Sequence, residues 1–410
     1  MEQKQLRIAM LSVHSSPIGE LGTNDTGGMS VCIREVAREL GSRGHLVDIF
    51  TRLRDPKCEQ RLELYKNVSL VHLRAGNDGP MDKLAVYPYL GDFLGELEIF
   101  RKREGIHYDL IHSHYWLSGR VGNWAQHHWN VPHILTFHTL GAAKNDTFGV
   151  EQEPELRVTT EKHLAKTAQR ILAGTKKEKE QLMFYYGAAS DSVGVVPCGV
   201  NLNLFHPQDK LEARRQLGFD HNESLLLYVG RFAPSKGSDR LLAAMAYLRD
   251  LRRVRLLIVG GDGHHAPEVQ NLHSLSRELG IQDNVTFVGR IEQEELPRYY
   301  NAADILVVPS RYESFGLVAL ESLACGTPVV ATPVGALGQI LREDETGHVV
   351  ENGSPRLLAD AIKTLISTRN TLSADLIRES ILEFTWPKVA SAMIKEYTTA
   401  VRGHQIASNP

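Results

Sequence analysis

The chain has 410 residues, 42% of them hydrophobic and 23% charged, which suits a soluble globular protein of two or three domains. Its formal net charge of −3 gives no bulk attraction to nucleic acid, so any anion site must be built from a few placed Lys and Arg. The four cysteines (Cys32, Cys58, Cys198, Cys325) lack zinc-binding spacing and fit a reducing compartment, and no apolar run approaches the ~18 residues of a membrane span, so a cytoplasmic protein is expected.

The first predicted strand is Arg7-Ile-Ala-Met-Leu-Ser-Val13, followed by a loop from His14 to Gly28 rich in Ser, Gly, Asn, Asp and Thr. Val31, Val36, Ala37 and Leu40 then recur at helical spacing until Gly41 and Gly44, and Leu46–Phe50 is the next strand. This βαβ opening predicts a doubly wound α/β domain. Gly27-Gly28 allows close backbone approach to a ligand, but the segment lacks G-x-G-x-x-G, and a plain loop accounts for it equally well.

Further strands are predicted over Val68–Leu73, Asp109–His112, His133–Phe137, Arg170–Ala173 and Val193–Val196, separated by stretches of crossover length. Turn formers from Pro197 to Pro207 mark an interdomain linker. The alternation restarts with Leu225–Val229, Leu256–Val259, Val285–Val288, Ile305–Val308, Val329–Ala331 and His348–Val350. Trp386-Pro387 opens a terminal helix with Val389, Met393, Ile394 and Tyr397 on one face, expected to fray from about Arg402. Two Rossmann-like domains are therefore expected, over residues 1–200 and 201–385, with the helix at about 386–402 beyond them.

Two loops carry the chemistry. In Tyr228-Val-Gly-Arg-Phe-Ala-Pro-Ser-Lys-Gly237, a strand end is followed by Arg231 and Lys236 on one short loop. The planar Arg fork and the Lys point charge suit phosphate oxygens, each charge-assisted contact contributing roughly 1.5–3 kcal/mol. In Pro309-Ser-Arg-Tyr-Glu-Ser-Phe-Gly-Leu-Val-Ala-Leu-Glu321, a strand leads through Glu313 into a helix that starts near Gly316 and contains Glu321. The amides of Phe315, Gly316 and Leu317 at that helix start favour an anionic ligand, and a carboxylate beside them suits sugar hydroxyls, because it can only accept hydrogen bonds. In the first half, His112-Ser-His114 offers two imidazoles to one strand face, but no third ligand has matching spacing, so no metal site is assigned. His127-His128 and His264-His265 read as loop or surface histidines, whereas His138 ends a strand before Thr139-Leu-Gly141 and faces the cleft.

Two Glu separated by seven residues, with Phe-Gly-Leu between them and Gly326-Thr-Pro-Val329 following, resemble the donor site of the retaining glycosyltransferases of family 4, which have the GT-B fold of two facing Rossmann-like domains. By that resemblance Glu313 and Phe315-Gly316-Leu317 hold the donor sugar, Glu321 the ribose, Arg231 and Lys236 the diphosphate, and Arg290 the base. Gly260-Gly-Asp-Gly263 packs near the nucleotide, and the terminal helix crosses back onto the first domain. The first half is similar to the D-inositol-3-phosphate glycosyltransferases of the mycothiol pathway in Ser12-Val-His-Ser-Ser-Pro17, Thr26-Gly-Gly-Met29, His112–Gly119 and His138-Thr-Leu140 through Lys144-Asn145.

That likeness covers roughly residues 7–400 and implies transfer of N-acetylglucosamine from UDP to inositol phosphate. It gives the acceptor side His14, Asp25, Thr26, Gly27, Gly28, Met29, Ser30, Lys83, Tyr115, Thr139 and Arg157, with Gly28 also near the donor and His138 beside the sugar. Two features point elsewhere. Ser30 stands where that family has Asn, and Gly141-Ala-Ala-Lys144 leans toward sucrose-phosphate synthases, whose acceptor is fructose 6-phosphate. A UDP-sugar epimerase is the rival from another enzyme class. The resemblance implies no tightly bound cofactor; a peripheral Mg²⁺ is allowed but not required, and neither a membrane nor nucleic acid is an expected partner. A homodimer is left open.

Overall fold

The computed structural model describes residues 4–19, 26–147, 150–251, 253–261, 266–368 and 372–408. Asp25, Asp262, Gly263, His264 and His265 lie outside the described residues.

The first sheet has eight strands: β1 (Arg7–Leu11), β2 (Leu46–Arg52), β3 (Arg61–Tyr65), β4 (Val68–Leu73), β5 (Leu110–His114), β6 (His133–Thr136), β7 (Arg170–Ala173) and β8 (Val193–Val195). Their spatial order is β3-β4-β2-β1-β5-β6-β7-β8, parallel except for β3, which pairs antiparallel with β4 at the edge. The second sheet has six: β9 (Ser224–Val229), β10 (Val254–Val259), β11 (Val285–Gly289), β12 (Ile305–Val308), β13 (Val329–Ala331) and β14 (Gly347–Val349), in the order β11-β10-β9-β12-β13-β14.

The apolar runs read as strands because both faces of each sheet are covered. Along β1, Ile8 and Met10 enter one core cluster while Ala9 and Leu11 enter another, and along β9 Leu226 and Tyr228 are separated from Leu227 in the same way. The terminal helix Trp386–Ser408 packs Trp386, Val389, Met393, Ile394 and Tyr397 beside Val31, Val36 and Leu40 of the helix Gly28–Ser42. It therefore returns to the first sheet, as the resemblance implied, and it runs past Arg402 instead of fraying there. The outgoing and returning chain segments lie side by side, since the Val200 amide donates to the Phe384 carbonyl at 2.8 Å. No described helix is long and apolar enough to cross a membrane.

Strand order locates the ligand crevice. In a doubly wound sheet the loops diverge where the winding direction reverses, leaving a gap at the carboxyl ends of the two strands involved. In the first sheet that pair is β1 and β5, followed by His14 and Tyr115; in the second it is β9 and β12, followed by the Arg231–Gly237 and Pro309–Gly316 loops. Both gaps open onto one cavity of about 350 Å³.

Candidate active site

On the second-domain side, two loops are stitched together. The Ser235 carbonyl accepts from the amides of Arg311 (2.8 Å) and Tyr312 (3.2 Å), and the Arg311 guanidinium grips both oxygens of Asp239 at 2.7 and 2.5 Å. Gly237 makes the approach possible: its φ is +69°, and a Cβ there would sit 2.1 Å from the Pro309 carbonyl oxygen. The Lys236 ammonium consequently donates to both carboxylate oxygens of Glu313, at 2.5 and 2.6 Å. Lys236 and Glu313, read from two motifs 77 residues apart, form one charged unit on the cavity wall.

Gly316 (φ +107°) caps the helix Leu317–Ala324; its carbonyl accepts from the Ala319 amide at 3.0 Å, while the Leu317 and Val318 amides precede the first intrahelical bond. Glu321, inside this helix, is buried and accepts from the Tyr300 hydroxyl at 2.7 Å. Burial pushes its carboxyl up to about 7. Arg231 and Arg290 also line the cavity.

The opposite wall comes from the first domain. The Tyr115 ring is its centre, with the His14 ring at 4.5 Å, the Arg157 guanidinium at 4.8 Å and the Lys83 ammonium at 5.8 Å from its centroid. Arg157 is only 2% exposed and donates to the carbonyl and hydroxyl oxygens of Thr139 at 2.8 and 2.9 Å. Burial and then the neighbouring Lys83, Arg54 and Arg157 cations hold His14 well below its ordinary range, so it is neutral.

Of the residues expected from sequence, Gly27, Gly28, Met29, His14, Lys83, Tyr115, His138, Thr139 and Arg157 line one wall. Arg231, Lys236, Arg290, Glu313, Phe315, Gly316, Leu317 and Glu321 line the other. Two further residues expected on the acceptor side, Thr26 and Ser30, are buried and do not line this cavity. Ser30 meets the Ser15 hydroxyl at 2.7 Å instead, which props the loop after β1 from behind. The His112/His114 pair is bound within the protein: His112 contacts Tyr397 and Thr136, and His114 contacts His138.

Lys144, Glu153 and Tyr312 are among the lining residues that had no role assigned from the sequence. Lys144 and Arg157 both pair with the Glu153 carboxylate, the latter at 2.8 Å. Lys144 stands in a motif that the family likeness had already singled out, but Glu153 lies in an aperiodic Glu-rich loop that carried no signal. Tyr312 reaches across the cleft, its hydroxyl accepting from the Leu140 amide at 3.0 Å. A second tie, from Arg34 to Gln293 at 2.5 Å, and the close approach of Gly28 to Leu317 hold the two walls together.

Profiles of two families match the two halves: Glycosyltransferase Family 4 over residues 26–204 and Glycosyl transferases group 1 over 209–381. The chain is 40% identical over 415 residues to a D-inositol 3-phosphate glycosyltransferase of Geodermatophilus obscurus, covering 98% of this chain and 91% of that protein. The chain belongs to this family of glycosyltransferases. A second relative of the same name, from Thermobispora bispora, is 41% identical over 407 residues, covering 96% of the glycosyltransferase described here and 95% of its own length.

Among solved structures, the glycosyltransferase superposes on sucrose-phosphate synthase from Thermosynechococcus elongatus with a TM-score of 0.89 and 33% identity, covering 97% and 100% of the two chains. Anabaena HepE in complex with UDP-glucose, at 20% identity and a TM-score of 0.76 over 97% and 100% of the chains, shares the fold. The glycosyltransferase thus has the GT-B architecture expected from its sequence.

Proposed function

We propose that this glycosyltransferase moves a hexosyl unit, N-acetylglucosamine or glucose, from a UDP-sugar to a phosphorylated polyol, best D-inositol 3-phosphate, with retention of configuration. The observation that carries the reading is a cavity with a cationic corner on each wall: Arg231 and Lys236 on one side, Lys83, Lys144 and Arg157 on the other. Two separate cationic corners suit two phosphate groups, the diphosphate of a donor and the phosphate of an acceptor. The name of the Geodermatophilus and Thermobispora relatives supports inositol phosphate as that acceptor, and their match extends over nearly the whole chain.

In this reading Glu313 and the amides at the start of Leu317–Ala324 hold the sugar, Glu321 accepts from the ribose, and Arg290 borders the base. His14, Gly27, Gly28, Met29, Tyr115 and Thr139 shape the acceptor side, and His138 stands beside the sugar. The bond from the anomeric carbon to the diphosphate oxygen breaks while the bond to the acceptor oxygen forms on the same face. The acceptor proton passes to the departing phosphate oxygen. Arg231 and Lys236 neutralise the charge that develops there, so the step needs no metal ion. The chain is divided into domains over 1–200 and 201–385, with the terminal helix completing the first, so that each domain brings one substrate.

A second reading, transfer to fructose 6-phosphate, is favoured by the likeness to sucrose-phosphate synthase. Incubation with UDP-N-acetylglucosamine or UDP-glucose, each with inositol 3-phosphate, fructose 6-phosphate, free inositol or no acceptor, separates the readings by UDP release and product mass. The proposal expects the highest rate with inositol 3-phosphate. Epimerised UDP-sugar in the absence of any acceptor, with no transfer, would overturn it.

A further inference from the structure

The two ring nitrogens of His138 have different surroundings. Nε2 lies 2.8 Å from Nδ1 of His114, while the ring borders the cavity, leaving Nδ1 as the nitrogen available to a ligand. His114 is 1% exposed, and its own Nε2 is sealed in the interior with no hydrogen-bond partner. His112, tilted against His114 with ring centroids 4.1 Å apart, cannot serve as that partner. Its Nδ1 is engaged by the Tyr397 hydroxyl at 2.7 Å and its Nε2 by the Thr136 hydroxyl at 3.0 Å. Burial holds His114 well below its ordinary range and brings His138 down to about 3, so both rings are neutral.

A neutral imidazole has one N–H and one bare nitrogen, so the contact between the two rings holds a single proton. If His138 Nε2 carried that proton, His114 would have to keep its own on Nε2, a buried donor with no acceptor. Such orphaned N–H groups are rare in folded proteins, whereas an unused lone pair is tolerated more often. With the proton on His114 Nδ1, only a lone pair is left unsatisfied.

We infer that His114 is a positioning residue that locks His138 in its Nδ1–H tautomer, so that His138 offers the sugar substrates a hydrogen-bond donor and not a base. The backbone holds the arrangement in place. His138 has φ +61° and Tyr115, directly after His114, has φ +76°, both left-handed conformations that non-glycine residues seldom adopt. Such strain persists at the ends of β5 and β6 because the packed surroundings over-determine it. The consequence is a division of labour in the cleft. A donor N–H suits a hydroxyl or ring oxygen of the transferred sugar, and His138 cannot receive the acceptor proton, which is left to the departing diphosphate. The ligand's part in this inference rests on the proposed transfer reaction; the tautomer does not.

Long-range ¹H–¹⁵N correlation spectra of the full chain labelled with ¹⁵N-histidine test the tautomer directly, with His138→Gln identifying the signals. The expected spectrum has a protonated Nδ1 and a bare Nε2 for His138; a protonated His138 Nε2 overturns the inference whatever the enzyme's substrate. The positioning role is read from His114→Asn, whose amide can donate from near the Nδ1 position, against His114→Leu, which cannot donate. The Leu variant should lose about tenfold or more in kcat with a smaller change in KM for the UDP-sugar, and the Asn variant should recover most of that loss. Equal kcat in the Asn and Leu variants overturns the role. Failure of the unmodified chain to transfer sugar to any acceptor would refute the proposed function instead, and the spectrum would still decide the tautomer.

Discussion

Replacing Lys236 with methionine tests the charged unit on the donor wall. The side chain keeps its length but loses the ammonium that both Glu313 oxygens accept from at 2.5 and 2.6 Å. Two separate effects follow. Removing one cation from the developing charge on a leaving diphosphate costs about 2.7–4 kcal/mol, a drop of roughly 10²–10³ in kcat. The second effect falls on Glu313, whose side chain is 8% exposed and would lose its partner. Breaking a fully buried pair costs about 3–5 kcal/mol; with Lys236 itself 23% exposed to the cleft, a loss nearer 2 kcal/mol is expected, about 4–8 °C in Tm for a domain of this size. The double variant Lys236→Met with Glu313→Gln removes both charges together. It should recover most of the lost Tm in differential scanning calorimetry but none of the lost kcat, measured by UDP release at saturating UDP-sugar. Near-normal kcat in the single variant would refute the argument, and so would a double variant that regained activity along with stability.

The remaining predictions concern the acceptor wall, the product and pH. Lys83→Ala should erase most of the preference for inositol phosphate over free inositol while leaving the KM for UDP-sugar unchanged; equal rates on both acceptors in the unmodified enzyme would refute a phosphate corner. Glu153→Gln should lower the KM for the phosphorylated acceptor severalfold, because its carboxylate pairs with Lys144 and Arg157 where a phosphate would compete for them; a raised KM would assign Glu153 to holding those cations in place. The new glycosidic bond should keep the α configuration of the donor, and a β-linked product in NMR coupling constants would rule out the retaining assignment.

Stability should fall as pH drops below 6.5. His14, His112, His114, His133 and His138 are all held neutral by burial, so protons favour the unfolded chain, by about 1.4 kcal/mol for each histidine one unit below 6.5. Glu178 and Glu321, both pushed up to about 7, act in the opposite sense, gaining stability as pH falls through 7, but they are fewer. A Tm that rose steadily from pH 7 to pH 5 would contradict this balance.

Most of the fold was legible because parallel strands covered on both faces read as uninterrupted apolar runs, as in Leu225–Val229 and Ile305–Val308. The exception is β3. Its Arg61-Leu-Glu-Leu-Tyr65 is exposed or half-buried, and only pairing with β4 makes it a strand. The two cavity loops of the second domain were legible for a related reason. Gly237, Gly316 and the residues around them are constrained over short stretches by turn geometry, so the motif and the site nearly coincide.

The sequence alone determined the two α/β sheets, the two loops that carry Arg231, Lys236 and Glu313, and the residue types able to meet a diphosphate, because those features depend on periodicity, local backbone geometry and side-chain charge. The tertiary structure decided which charges meet. It paired Lys236 with Glu313, buried Arg157 under Tyr115 between Glu153 and Glu161, and set His138 against His114. It also turned Ser30 away from the cavity. Each of these contacts joins segments that the strand order brings together or depends on which face of a helix is covered. Burial and tautomer follow from such neighbours; of these contacts only the Arg157 pairs with Glu153 and Glu161 fall at a local spacing, four residues to either side.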